Sequence, residues 1–339
     1  MQLSQKNSNR ISLKAENERI VNSFLNFYDG MNYRIEPSKN ITCGCDASVY
    51  LIGSSISVLK PLLLNNSIPN EGVAIVQPAI RTQQLQNLYR NDSFFSEWGS
   101  YFKALGTLQK YEKVEEVIND TYQFIIGAGN MDSEILIRVC SRDTDLLSAC
   151  QKIIPYIKTE VDTMSEKYYK HKYGMDLYGI RGRNFNFCLK DKNSGMYGDV
   201  GNIIIIEKDN EPIAVESAIG LSALITRMCG FSHTVQSTVI ADFIDCKDYD
   251  YCRFADCIAV ISHLFAENIK PNSSNMASRL LKKYLIGVIH YATYLHFTFS
   301  RIYLIMKEYV TYEYNLETAI NVIENCSDYI TKNNLVEVK

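Results

Sequence analysis

The stretch Ile213–Gly230, "IAVESAIGLSALITRMCG", decides how the chain is read. It begins strand-like, turns on small residues and becomes an apolar helix. One acid, Glu216, stands at the turn, and no cation follows until Arg227. Such a segment is either a strand packed on a buried helix or the floor of a nucleotide site that has lost its charges. A buried acid needs a partner, and a ligand cation supplies one.

Working outward, the upstream two thirds mix strand and helix patterns. "EGVAIVQPAIRTQQ" reads as a buried strand ending in Arg81, and "SVYLIG" as a β-branched and aromatic run. "SSISVLKPLLL" reads as helix until Pro61 disturbs it. "SFFSEWGSYFKALGTL" reads as a strand crossing into helix. "YEKVEEVINDTYQFIIGAG" is an amphipathic helix. "SEILIRVCSRDTDLLSACQKII" is strand, turn and helix, with Ser141 or Asp143 placed to cap. "RNFNFCLKD" and "NIIIIEKDNEPIAVE" read as two strands joined by a charged turn. From about residue 217 the pattern is helical. Long strands with few short crossover helices predict a largely antiparallel sheet, hence an α+β fold followed by an all-α C-terminal domain. The expected division is a disordered 1–15, a domain over 16–232 and a helical domain over 233–339.

Composition bounds the function. The 339 residues are 46% hydrophobic and 22% charged, with net charge −3, which excludes a bulk nucleic-acid coat but not a local basic face. The first twenty residues are polar, and no uncharged run approaches the ~20 residues of a membrane span. A cytoplasmic protein with no membrane partner is expected. The ten cysteines form no framework and read as reduced thiols. No G-x-x-x-x-G-K-[ST], G-x-G-x-x-G or G-x-S-x-G motif occurs. His171, His233, His263, His290 and His296 are too dispersed for a metal site, so no metal ligands are assigned, and each histidine is read as structural.

The order of the segments carries a resemblance. "IVNSFLNFYDGMNYRIEPSKNITCGCDASVYLIGSSISVLKPLLLN", "VQPAIRTQQLQNL", "SFFSEWGSYF", "EILIRVCSRDTDLL", "GIRGRNFNFCLKD", "GNIIIIEKD", "VESAIGLSALITRM" and "FADCIAVISHLFAENIKPNSSNMASRLLKKYLIGVIH" are collinear with the N-terminal part of alanyl-tRNA synthetase, a class II synthetase. The resemblance covers about residues 20–300. It implies a class II synthetase-like antiparallel sheet flanked by helices, then a helical region that meets the tRNA acceptor stem. Lys60 falls on a family lysine and Asn87 on a family asparagine. Arg81 stands for the arginine that grips the α-phosphate and carboxylate. Asn202 falls on an asparagine near the amino-acid pocket, and Glu216 replaces the aspartate that holds the substrate ammonium. Gly220 and Leu221 match the family's last motif. Glu97 sits one step after a family glutamate, with Ser96 in its place. Phe94 or Phe95 is a candidate for stacking on a base, and Trp98 for the pocket wall.

The departures are as telling. Asn186 replaces a glutamate of the ATP–metal site, and the family's "ER" has become Ser222 and Ala223. The resemblance implies ATP and Mg²⁺ as cofactors, and these losses argue against both, since each lost charge-assisted contact is worth roughly 1.5–3 kcal/mol. Arg181 and Arg183, in a loop entering a strand, are candidate replacements for phosphate binding. Arg279, Lys282 and Lys283 are candidates for tRNA phosphates. The expectation is a freestanding enzyme without the editing domain. It would activate or transfer a small amino acid, in specialised metabolism, with aminoacyl-tRNA as a donor in place of ATP. Class II cores usually dimerise, whereas alanyl enzymes vary, so the resemblance allows a homodimer without requiring one. The alternative is a degenerate pseudo-synthetase that binds an amino acid or tRNA.

Overall fold

The computed structural model describes residues 12–82, 88, 98–128, 134–171, 179–271 and 274–332. Asn87, Phe94, Phe95, Ser96 and Glu97 lie outside them. Among the described residues nine strands form one sheet: β1 (Arg34–Glu36), β2 (Val73–Ile80), β3 (Tyr101–Lys110), β4 (Ile135–Val139), β5 (Lys158–Val161), β6 (Lys170–His171), β7 (Ile180–Lys190), β8 (Tyr197–Lys208) and β9 (Glu211–Gly220). The order is β1-β2-β3-β9-β8-β7-β4-β5, with β6 also on β7. All pairs are antiparallel except β1–β2 and β4–β5. The fold is therefore α+β, an antiparallel sheet flanked by helices and followed by a helical region.

Alternation along the strands assigns the two faces. On one face Leu105, Phe185, Phe187, Ile203, Ile205, Val215 and Ile219 pack beneath α1 (Leu13–Gly30), α3 (Val114–Ala128), α4 (Thr144–Ile153) and α5 (Leu221–Cys229). On the other, α2 (Ser55–Leu64) covers only part of the sheet, over Val73, Ile75, Leu108, Ile204 and Ile206. Ser55, at the start of α2, lies so close to β3 that a Cβ on Gly106 would stand 2.2 Å from its Oγ. The uncovered remainder of this face is where the cavity opens.

After α5 come α6 (Tyr249–Ala266), α7 (Met276–Tyr294), α8 (Phe299–Glu313) and α9 (Leu316–Lys332). Their shared core takes in Leu13, Ile41, Ile80 and Tyr101 from the sheet side. Three acids tie the parts together by accepting from backbone N–H groups. Asp242 takes those of Leu13 and Lys14, Asp256 those of Ser100 and Tyr101, and Glu267 those of Ile41 and Thr42.

Several local expectations are corrected. "KALGTL" continues β3 rather than entering a helix, because it lies between β2 and β9 in mid-sheet. "SVYLIG" is not a strand, although Ile52 exchanges backbone bonds with Ile41 and Ile80. Pro61 lies inside α2, in its last turn, where its missing N–H costs one bond. "NIIIIEKDNEPIAVE" is itself a hairpin, β8 to β9, turning on Asp209 and Asn210 at φ 53° and 72°, the left-handed pair of a two-residue hairpin turn. Asp143 occupies the N-cap of α4 without a side-chain cap bond. The N-terminal helix starts at Leu13, inside the stretch expected to be disordered. Cys43 and Cys45 are joined by a disulfide, and the other eight cysteines are free.

Candidate functional site

A cavity of about 540 Å³ lies on the sheet face that α2 leaves open. Its floor is set by strand register. Asn186 on β7 pairs with Asn202 on β8, which pairs with Ala218 on β9, so all three point to one face. Glu216 and Gly220 lie two residues either side of Ala218 and share that face. Arg81 enters from the end of β2, Lys60 from α2, and Ser222 and Ala223 from the start of α5. The cavity thus gathers Arg81, Trp98, Asn202, Glu216 and Gly220 of the sequence-derived candidates.

The two cations differ in commitment. Lys60 Nζ is 2.5 Å from Asp46 Oδ2 and 2.8 Å from Ser48 Oγ, and the lysine and acid are both buried. Burial works against ionisation of Asp46, but the Lys60 ammonium and Ser48 hold its carboxyl below the usual carboxylate range. Arg81 forms no ion pair among the described residues. Its guanidinium lies 4.4 Å from the centroid of Phe102 and 5.7 Å from that of Trp98, and desolvation lowers its pKa. A cation resting on aromatic rings in a cavity is suited to an anionic or carbonyl group of a ligand.

The acid Glu216 is 1% exposed and lines the cavity. In the same lining, three buried polar atoms have no hydrogen-bond partner among the described residues: Ser55 Oγ, Asn186 Nδ2 and Asn202 Oδ1. Leaving such atoms unpaired is costly, and a polar ligand would relieve that cost. Asp199, also in the lining, is already engaged. It accepts from Tyr168 Oη at 2.7 Å and Cys188 Sγ at 3.1 Å, and Arg138 Nη1 stands at 3.3 Å.

Other candidates fall elsewhere. Arg181 and Arg183 lie within β7 rather than in a loop, and neither lines the cavity. Arg183 pairs with Asp145 at 2.5 Å and Glu207 at 2.7 Å, and Arg181 approaches Glu207 at 3.5 Å. Their charge is spent on neighbouring acids, so this geometry does not bring them to a phosphate in the cavity. Arg279, Lys282 and Lys283 are exposed on α7, apart from the cavity. Phe95 and Glu97 are outside the described residues. Sequence reasoning missed His171, which lines the cavity from β6, and Asp199. Only strand pairing brings His171 to Asn202, which is distant in sequence, so no local pattern announces it.

A Mg²⁺ site does not fit these residues. Asn186 and Ser222 are neutral where carboxylates would offset the metal's charge, and Asp199 is held by three donors. Among the described residues no group of three or more His, Cys, Asp or Glu is placed to hold a metal. No helix there is long and apolar enough to cross a membrane.

Comparison with known proteins points one way. The similarity is to class II aminoacyl-tRNA synthetases. Over 212 residues the chain is 23% identical to the alanine–tRNA ligase of Mycoplasma mobile, a match spanning 58% of this chain and 23% of that protein. The chain thus matches about a quarter of that relative's length. The apo histidyl-tRNA synthetase of S. aureus aligns over 69% of this chain and 71% of its own, at TM-score 0.44 and 9% identity. An ATP phosphoribosyltransferase regulatory subunit/histidyl-tRNA synthetase of Bacillus halodurans C aligns over 67% of this chain and 84% of its own, at TM-score 0.41 and 8% identity. These structural likenesses are loose and bear no weight on function. No protein-family model matches the chain.

Proposed function

We propose that the cavity binds the aminoacyl part of a small amino acid, and that the chain transfers it from an already activated donor such as aminoacyl-tRNA. One observation carries this reading. A single cavity holds Glu216 and Asn202 Oδ1 as acceptors and Arg81 as a cation, while the positions suited to a metal–nucleotide complex are neutral. Glu216 and Asn202 would take the ammonium. Arg81 would take the acyl oxygen, where negative charge develops as a nucleophile adds to the ester carbonyl. The ester C–O bond then breaks, the tRNA 3′ oxygen leaves with the proton that the nucleophile gives up, and the acyl group stays on the nucleophile. An ester already carries the activation that ATP would otherwise supply, so this route asks nothing of the missing metal ligands. The exposed Arg279, Lys282 and Lys283 would meet the donor's phosphates, and neutralising all three should weaken tRNA binding and reduce its salt slope by roughly two to three.

The test is paired. With labelled alanyl-tRNA, transfer of label to an added amine or hydroxyl acceptor is expected, with no alanine-dependent pyrophosphate exchange. Exchange would overturn the choice of donor and establish adenylation. Alanine binding with neither reaction would favour a second reading, a binding module, to which the neutral Asn186 and Ser222 also lend support.

A further inference from the structure

His171 belongs to none of the sequence motifs, yet it lies in the cavity wall between two amides. Asn184 Nδ2 donates to the Tyr168 carbonyl at 3.4 Å, which leaves Asn184 Oδ1 facing His171 Nδ1 at 2.8 Å. An amide oxygen only accepts, so Nδ1 carries the ring hydrogen. In a neutral ring Nε2 is then an acceptor, and Asn202 Nδ2 lies 3.4 Å from it. Burial, reinforced by the charge of Arg81 and opposed by the bond to Asn184, lowers the imidazole's pKa and favours that neutral form. The amide of Asn202 is thereby oriented, and its Oδ1 is buried with no hydrogen-bond partner among the described residues.

We propose that His171 is a positioning residue: it holds the amide of Asn202 with its oxygen toward the cavity, so that Asn202 and Glu216 accept together from the ligand's ammonium. The proposal deepens the functional reading above and rests on it. The alternative orientation shows why a holder is needed. A rotated Asn202 would turn Nδ2 inward beside Asn186 Nδ2, and two N–H donors facing an ammonium repel it. Asn184 and the Tyr168 carbonyl act one step further back, since they set which ring nitrogen of His171 is the acceptor. This is the logic by which an outer hydrogen bond fixes the tautomer and direction of an inner ligand group.

Two measurements on the full chain test it. In long-range ¹H–¹⁵N spectra of histidine-labelled protein near pH 7.5, His171 is expected as the Nδ1–H tautomer, with Asn184→Ala moving it toward Nε2–H. A charged ring or an Nε2–H tautomer in the unsubstituted protein would overturn the proposal, whatever the ligand proves to be. Calorimetry then uses L-alanine and propionate, which lacks the ammonium. His171→Ala is expected to weaken L-alanine roughly tenfold, the loss of one hydrogen bond to a charged group, and to leave propionate unchanged. His171→Gln, which keeps an acceptor near the Nε2 position, should stay within about threefold for L-alanine. Unchanged L-alanine binding in His171→Ala, or equal loss for both probes, would overturn the positioning role. If the unsubstituted protein binds neither probe, the functional reading fails and the tautomer decides alone.

Discussion

On the β8 and β9 side of the cavity Glu216 and Asn202 offer oxygens, whereas on the β7 and α5 side Asn186, Ser222 and Ala223 offer no charge. The two sides differ in what they ask of a ligand. The first suits an ammonium. The second lacks the carboxylates that would offset a divalent cation, and a nucleotide triphosphate without its metal would have to be neutralised by protein cations. Of the two cations in the lining, Lys60 is tied to buried Asp46 and Arg81 rests on Phe102 and Trp98. On the reading proposed above, the pocket holds charges that recognise a small molecule and lacks those that would drive its activation.

The largest expected effect separates the two cations. Lys60→Ala leaves Asp46 buried and uncompensated, and should cost about 3–5 kcal/mol of folding stability in urea denaturation. Arg81→Gln should leave stability nearly unchanged and weaken ligand binding. Should Lys60→Ala spare stability yet abolish binding, Lys60 would be a ligand group and the assignment of roles would reverse.

The next effect separates the fold from the site. His263 is buried among Tyr101, Tyr309 and Tyr314, and stacks on Tyr101 with ring centroids 3.9 Å apart. Burial, helped by the charge of Lys103, pushes its pKa down from 6.5 to about 3. The unfolded chain therefore takes up a proton below 6.5 that the native chain refuses. This contribution to stability is whole above pH 6.5 and falls by about 1.4 kcal/mol per pH unit toward pH 3. Denaturation curves from pH 7 to 4.5 should show that slope, and His263→Phe should flatten it. A slope unchanged by the substitution would place the acid sensitivity elsewhere, Asp46 included.

A smaller effect tests the ammonium side. Glu216→Gln removes one charge and keeps the shape, so L-alanine affinity should fall by roughly 1.5–3 kcal/mol, about 10- to 150-fold, with propionate much less affected. Equal losses for both would mean that Glu216 serves the fold rather than the ligand.

Much of this architecture was legible from residues. The strand patterns, the arginine closing β2 and the long helical tail point to the sheet and the helical region, whereas Glu216, read at a strand-to-helix turn, lies within β9, which runs on to Gly220. What escaped was decided by partners distant in sequence. Residues Lys103–Leu108 have a helix-tolerant composition, yet β2 and β9 flank them and their burial overrides propensity. Arg181 and Arg183 look available in sequence, and only folding shows Asp145 and Glu207 beside them. His171 reaches Asn202 through the β6–β7–β8 pairing, which no periodicity encodes. The residues gathered into the cavity were named by resemblance to a family, not by spacing.

The most direct test of the central claim is a calorimetric titration of the full chain with L-alanine, once with chelator and once with Mg²⁺ and ATP. Binding at one site per chain, with affinity within about twofold in the two conditions, is the expected result. Binding that appears only with Mg²⁺ and ATP would contradict it, because the neutral side of the cavity would then be holding a metal–nucleotide complex after all.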